Sequence, residues 1–244
     1  MEGTDDDQPQ RARRRWPATV LFLLVVAVTA LAFRQGLITP RFNPLPDLNL
    51  SEPNPWFIDW RLAAIKNSPE VCARTLQSPH IEAREIPDGP IKDGCGWTNS
   101  VRLVSAGGVR ASFDKLTCES AVALALWLEH DVQPAAQRLL GQRVVAIRSF
   151  GSYACRNIVG NPLWKHFRSQ HATANAADIA GFVLANGRQI SVERQWHGDG
   201  PETKFLHAVH DGACRYFRAV IGPDYNAAHH NHFHLDRGPY PVCR

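Results

Sequence analysis

Near the C-terminus, His229, His230, His232 and His234 place four of the chain's 11 histidines within six residues. Neutral imidazole is the commonest nitrogen ligand for zinc, so this density points to a transition metal. The alternation His232, Phe233, His234 reads as a strand with both imidazoles on one face. One strand cannot complete a metal site, because a catalytic zinc takes three protein ligands from different elements and keeps an open position for water. His171 and Asp178, seven apart across Ala-Thr-Ala-Asn-Ala-Ala, are spaced for a loop imidazole and a strand carboxylate to converge on one ion, with His234 as the third ligand. Two neutral imidazoles and one carboxylate against a dication leave a water in the open position activated, its pKa lowered toward ~7. His232, on the same face as His234, is placed to take that water's proton or to steady the tetrahedral intermediate. Taken singly, each histidine reads as a surface or core residue and Asp178 as a turn or cap; the joint pattern carries the zinc reading. His-Glu-x-x-His is absent, which excludes the helical zincin arrangement.

These residues need elements to hold them. A short helix in residues 56–73 opens the folded domain. Residues 101–104 and 109–113 are apolar and flank Gly107-Gly108, a hairpin pattern. Thr117 reads as the N-cap, with Glu119 in the first turn, of a helix whose apolar face is Val122, Leu124, Ala125 and Leu128. Pro134 opens a second short helix ending near Gly141. Residues 143–150 form a strand, followed by a loop over 151–156. Residues 182–184 and 188–196 read as strands on either side of the Asn186-Gly187 turn, which sets Asp178 at or near a strand. A helix over about 203–221 and the loop Gly222-Pro223-Asp224-Tyr225 deliver the His-rich strand. The expected fold class is α+β, a small antiparallel sheet carrying the zinc site and flanked by helices.

The N-terminal end has a different character. Arg11, Arg13, Arg14 and Arg15 precede an uncharged apolar run over 16–33, closed by Arg34. Eighteen residues at a 1.5 Å rise make ~27 Å, close to the ~30 Å hydrocarbon core. No clear small-x-small cleavage site follows, so the expectation is an uncleaved signal anchor over 16–34 rather than a cleaved signal peptide. The positive-inside bias leaves residues 1–15 as a cytoplasmic leader and puts everything after Arg34 outside. Residues 35–55, rich in proline and without helical period, read as a stalk, and 56–244 as the domain. All six cysteines lie beyond the anchor, none in a Cys-x-x-Cys pair. That usage argues for up to three disulfides in an oxidising compartment, with 15 pairings open and Cys243 tying down the tail. The charge balance is mild, 27 Lys and Arg against 23 Asp and Glu, net +4. With no basic block or basic-aromatic interleaving in the domain, nucleic acid is not an expected partner.

Ser169-x-His171, Asp178 and His229-x-x-His232-x-His234 together resemble the signature of the LAS metallopeptidases, the group of D-Ala-D-Ala carboxypeptidases, murein endopeptidases and the hedgehog fold. The tail His-His-Asn-His-Phe-His is most similar to the penicillin-insensitive murein endopeptidase type. Over nearly the whole outer domain, including Gly-Ser-Tyr-Ala-Cys-Arg at 151–156 and the terminal Cys-Arg, the chain resembles the bacterial extensin-like C-terminal domain family. The resemblance implies a LAS/hedgehog-like fold, Zn2+ on His171, Asp178 and His234, His232 as catalytic histidine and His229 in support. It also implies Arg156 as the residue that stabilises the polarised carbonyl, although Ala154 and Cys155 intervene after Tyr153, and Ser169 as a residue of the substrate groove. Many relatives have Glu where this chain has His229.

The leading expectation is a zinc peptidase held in the inner membrane by a single N-terminal span, its domain in the periplasm, cutting a peptide bond in peptidoglycan stem peptides or cross-links. The alternative is a non-catalytic wall-binding module whose zinc is structural or vestigial, closed by His232 or His229 as a fourth ligand. A third reading is a metal-dependent amidase or esterase acting on another substrate.

Overall fold

A computed structural model describes residues 16–34, 47–53 and 56–244. The expected leader at 1–15 and most of the expected stalk lie outside the described residues. A helix, α1 (Trp16–Arg34), forms over the apolar run. Among the described residues, no helix is long and apolar enough to cross a membrane.

The domain opens with α2 (Ile58–Lys66) and α3 (Pro69–Thr75). Ser68 caps α3 by accepting from the Val71 amide, and Pro69 sits in its first turn, where a missing N–H leaves nothing unpaired. Three strands follow that no periodicity announces: β1 (Ile81–Ile86), β2 (Gly89–Lys92) and β3 (Cys95–Trp97). β4 (Ser100–Ala106) and β5 (Val109–Thr117) make the expected hairpin. At its turn Gly107 has φ +55°, and a Cβ there would lie 2.7 Å from the amide nitrogen of Glu129, so only glycine fits.

Thr117 caps α4 (Cys118–Trp127) as expected, accepting from the Ser120 amide. Every residue of α4 is buried, so its apolar stripe is one side of a helix enclosed all round. The two helices expected here are continuous. α4 runs through one π turn, Leu128–Val132, into α5 (Gln133–Leu140), which ends on Gly141 in the left-handed conformation. Proline lacks the amide that would continue the ladder, and the π turn lies just before Pro134.

β6 (Val144–Gly151), β7 (Ala176–Leu184) and β8 (Gln189–Ser191) come next. The strand expected over 188–196 stops at Ser191, whose amide donates to Gln195 Oε1, and the chain turns into α6 (Val192–Gln195). The helix expected over 203–221 is likewise shorter: α7 (Pro201–Ala213) ends where Cys214 is tied to Cys243, and 219–221 leave as β9 (Ala219–Ile221). The His-rich segment is strand only in β10 (Phe233–Asp236), His229 lying in a 3-10 turn over Ala227–His229. β11 (Val242–Cys243) closes the chain.

The fold is mixed α+β, and its sheet is larger than expected and not wholly antiparallel. Nine strands run in the order β1-β4-β5-β6-β7-β10-β9-β11, with β8 also on β7. β5 and β6 are parallel because the α4–α5 rod connects them as a crossover, and β9 and β11 are also parallel. β7 is central: β6 pairs along one edge, while β10 and β8 share the other. Behind it Phe182 meets Trp127 and Phe205, ring centroids 6.0 and 5.1 Å apart. Each such ring, fully buried, contributes about 1.5–3 kcal/mol. The six cysteines form three disulfides, Cys72–Cys118, Cys95–Cys155 and Cys214–Cys243, so the expected pairing of the tail through Cys243 is met.

Candidate metal centre

Register across β7 and β10 sets Asp178 directly opposite His234, while their neighbours Ile179 and Phe233 turn to the core, both fully buried. Antiparallel pairing sends Asp178 and His234 to the same face, where Asp178 Oδ1 lies 3.0 Å from His234 Nδ1. The third corner comes from the 3-10 turn Gln170–Thr173 that leads into β7. Ser169 caps this turn by accepting from the His171 amide, and Ala174 closes it in the left-handed conformation. Asn175 then staples the turn to α4, its Oδ1 accepting from Thr117 and Ser120 and its Nδ2 donating to Gln170 Oε1.

His171 Nε2 lies 3.1 Å from Asp178 Oδ1 and 3.1 Å from His234 Nδ1. Three potential donor atoms thus form a nearly regular triangle, and His171, Asp178 and His234 are together a group that could hold a metal ion. Edges of about 3.3 Å are what tetrahedral zinc with ~2.0–2.1 Å bonds requires. The outward nitrogens are already engaged. His171 Nδ1 donates to the Ser152 carbonyl at 3.0 Å, and His234 Nε2 donates to Asp236 Oδ2 at 3.0 Å. In neutral form both imidazoles therefore turn lone pairs toward each other and toward a carboxylate, an arrangement that a metal ion or a further proton between them relieves. The residues fit a zinc ion.

The ionisation of the cluster expresses the same demand. Burial pushes the Asp178 carboxyl up, but hydrogen bonds and charge from His171 and His234 outweigh it and hold the group far below the carboxylate range. Burial pushes His234 down, yet its bonds to Asp178 and Asp236 raise it to about 9.

His232 stands beside the triangle. Its Nδ1 donates to Asn231 Oδ1 at 2.8 Å, which leaves Nε2 free to accept, 3.5 Å from Asp178 Oδ1. Burial lowers its pKa against the opposing pull of Asp178. His229, held by Asn226 Oδ1 at 2.8 Å, is pushed down to about 4, first by burial and then by His234 and His232. Its ring centroid is 5.3 Å from His232 and 5.7 Å from His234. His230 points away, exposed, its Nδ1 on the Ala227 carbonyl.

A cleft of about 400 Å³ is lined by His234, His232 and His229. Arg156 and Ser169 border it beside His229 and His232, and its far wall carries Trp164 against Tyr240, ring centroids 5.0 Å apart. Arg156 is exposed, and its charge acts on both His229 and His232. The neighbouring disulfide Cys95–Cys155 ties its loop to β3. Ser169 borders the cleft while its hydroxyl is used as the turn's cap.

Sequence reasoning had not singled out Ser152, Asn175, Asn226 or Asp236. Asp236 alone left a readable signal, since it stands two residues beyond His234 and so faces the same way along the strand. The other three act through contacts far apart in the chain or through local caps.

The family model described as Extensin-like protein C-terminus matches residues 70–244, a span that contains every residue of the cluster. No curated protein and no solved structure matches the chain.

Proposed function

The chain belongs to the extensin-like C-terminus family, and we propose that it is a zinc peptidase of LAS type that hydrolyses a peptide bond in peptidoglycan stem peptides or cross-links. The observation that carries the reading is the triangle of His171 Nε2, Asp178 Oδ1 and His234 Nδ1, with His234 and His232 lining a cleft beside it and His232 Nε2 3.5 Å from Asp178 Oδ1. Zinc held by these three would supply a Lewis acid that polarises the scissile carbonyl and lowers the pKa of a water toward ~7. His232 accepts at Nε2 the proton lost as the water oxygen adds to the carbonyl carbon, and returns it to the departing amine when the C–N bond breaks. His229 keeps His232 company as a second neutral imidazole, and Arg156 faces the oxygen of the carbonyl from the rim. Ser169 holds the turn and lines the groove.

In this proposal residues 16–34 anchor the chain in the inner membrane and the domain works in the periplasm. The arginines at 11–15 before the apolar run support that orientation. Six cysteines all in disulfides fit an oxidising compartment.

A second reading, a wall-binding module with a closed zinc site, draws on one observation: His232 Nε2 is near enough to Asp178 Oδ1, 3.5 Å, to reach the same ion as a fourth ligand. Cleavage separates the two, because the closed module releases no fragment. Under the peptidase reading, His171→Ala and His234→Ala each abolish zinc uptake and muropeptide cleavage together. Cleavage by a metal-free His234→Ala chain would overturn the mechanism.

A further inference from the structure

The metal reading leaves open what fixes the tautomer of His234. Neutral imidazole carries one ring proton, and two carboxylates compete for it here: Asp178 Oδ1 lies 3.0 Å from Nδ1 and Asp236 Oδ2 lies 3.0 Å from Nε2. An ionised carboxylate only accepts. Asp178 alone would draw the proton onto Nδ1, into the space an ion needs. Resting on the metal-site reading above, we infer that Asp236 is a positioning residue that keeps the proton of His234 on Nε2 and so turns the Nδ1 lone pair to the metal. His171 obtains the same result from a backbone acceptor, the Ser152 carbonyl.

Asp236 is built to hold this position. Its second oxygen, Oδ1, accepts the Gly238 amide at 2.7 Å, so the carboxylate cannot swing away. Its backbone pairs with Ala176 on one side and Ala219 on the other, and its carbonyl accepts the Arg218 amide at 2.8 Å. The next residue, Arg237, is buried and bonded to Glu119 at 2.9 Å, Asp59 at 2.7 Å and the Tyr216 carbonyl at 2.8 Å. These contacts lock the strand end to α2 and α4, so Asp236 is rigid to within its own rotamer.

Asp236→Asn tests this with almost no change of shape. The Gly238 amide requires an acceptor, so the amide oxygen stays on it and the NH2 turns to His234 Nε2, which must then accept. The proton moves to Nδ1. Measured on the full-length chain by chelator competition, zinc affinity should fall roughly 10–100-fold in Asp236→Asn, while His230→Ala, on the exposed side, keeps the parental affinity. Nitrogen NMR of the zinc-loaded parent, labelled at histidine, should show His234 protonated at Nε2. That measurement stands even if Asp236→Asn does not fold. Parental zinc affinity in a folded Asp236→Asn chain, or His234 ligated through Nε2, would overturn the role of Asp236 alone. A parent that takes up no zinc would overturn this inference and the metal reading together.

Discussion

Asp178 and His234 are cross-strand partners in register between β7 and β10, and their side chains meet at 3.0 Å on the face away from the core. A one-residue slip of β10 would send His234 into the core and bring Phe233 out, separating His234 from Asp178. The site thus depends on pairing register, and the buried apolar residues that alternate with it enforce that register.

Asp178→Asn keeps the shape and the strand pairing but removes the charge that offsets a dication. Zinc content of the purified chain should drop from about one ion per chain to a small fraction of that, with the folded state retained. Metal analysis beside circular dichroism checks both halves.

His232→Ala should leave zinc binding intact and lower cleavage by roughly 10²–10⁴-fold, because His232 moves a proton in the proposed reaction without being a ligand. Loss of the metal in that variant would instead favour His232 as a fourth ligand and the closed site.

The metal-free chain should have a pH optimum of its own. His234 is raised from 6.5 to about 9, so its contribution to stability is full below 6.5 and is lost as pH rises through about 9. Asp178 is depressed from 3.8, so its contribution is present above 3.8 and is lost only as pH falls below that value. Thermal midpoints of the chelator-treated chain should therefore fall between pH 6.5 and 9. In the zinc-loaded chain the fall should be absent, since the ion replaces the proton between the same atoms.

Arg237→Ala should cost about 3–5 kcal/mol, because it leaves Glu119 buried without its partner. Burial already pushes Glu119 up against the pull of Arg237. Urea denaturation at neutral pH measures the loss, and Glu119→Gln in the same background should recover part of it.

The meeting of His171, Asp178 and His234 was legible because the residues are chemically unusual and their spacing is short: His171 and Asp178 lie seven apart on a turn and the strand it leads into, and His234 lies on a run of alternating residues. The β4–β5 hairpin and the cap at Thr117 were legible for the same reason, each being set by local chemistry. What stayed hidden was decided at long range. The mixed sheet follows from the α4–α5 crossover, and a run such as 188–196 carries strand propensity that gives way once Gln195 caps the Ser191 amide. The pairing of six cysteines, 29 to 60 residues apart, depends on the finished topology. Asn175 and Ser152 gained their roles from partners that only the folded chain brings near.

The most direct test of the central claim is to incubate the full-length chain with purified peptidoglycan sacculi, with added zinc and with a chelator, and to analyse the soluble products by mass spectrometry. The account predicts muropeptides carrying one newly hydrolysed peptide bond, released with zinc and absent with the chelator. Zinc-loaded chain bound to the sacculi with no fragment released would contradict it.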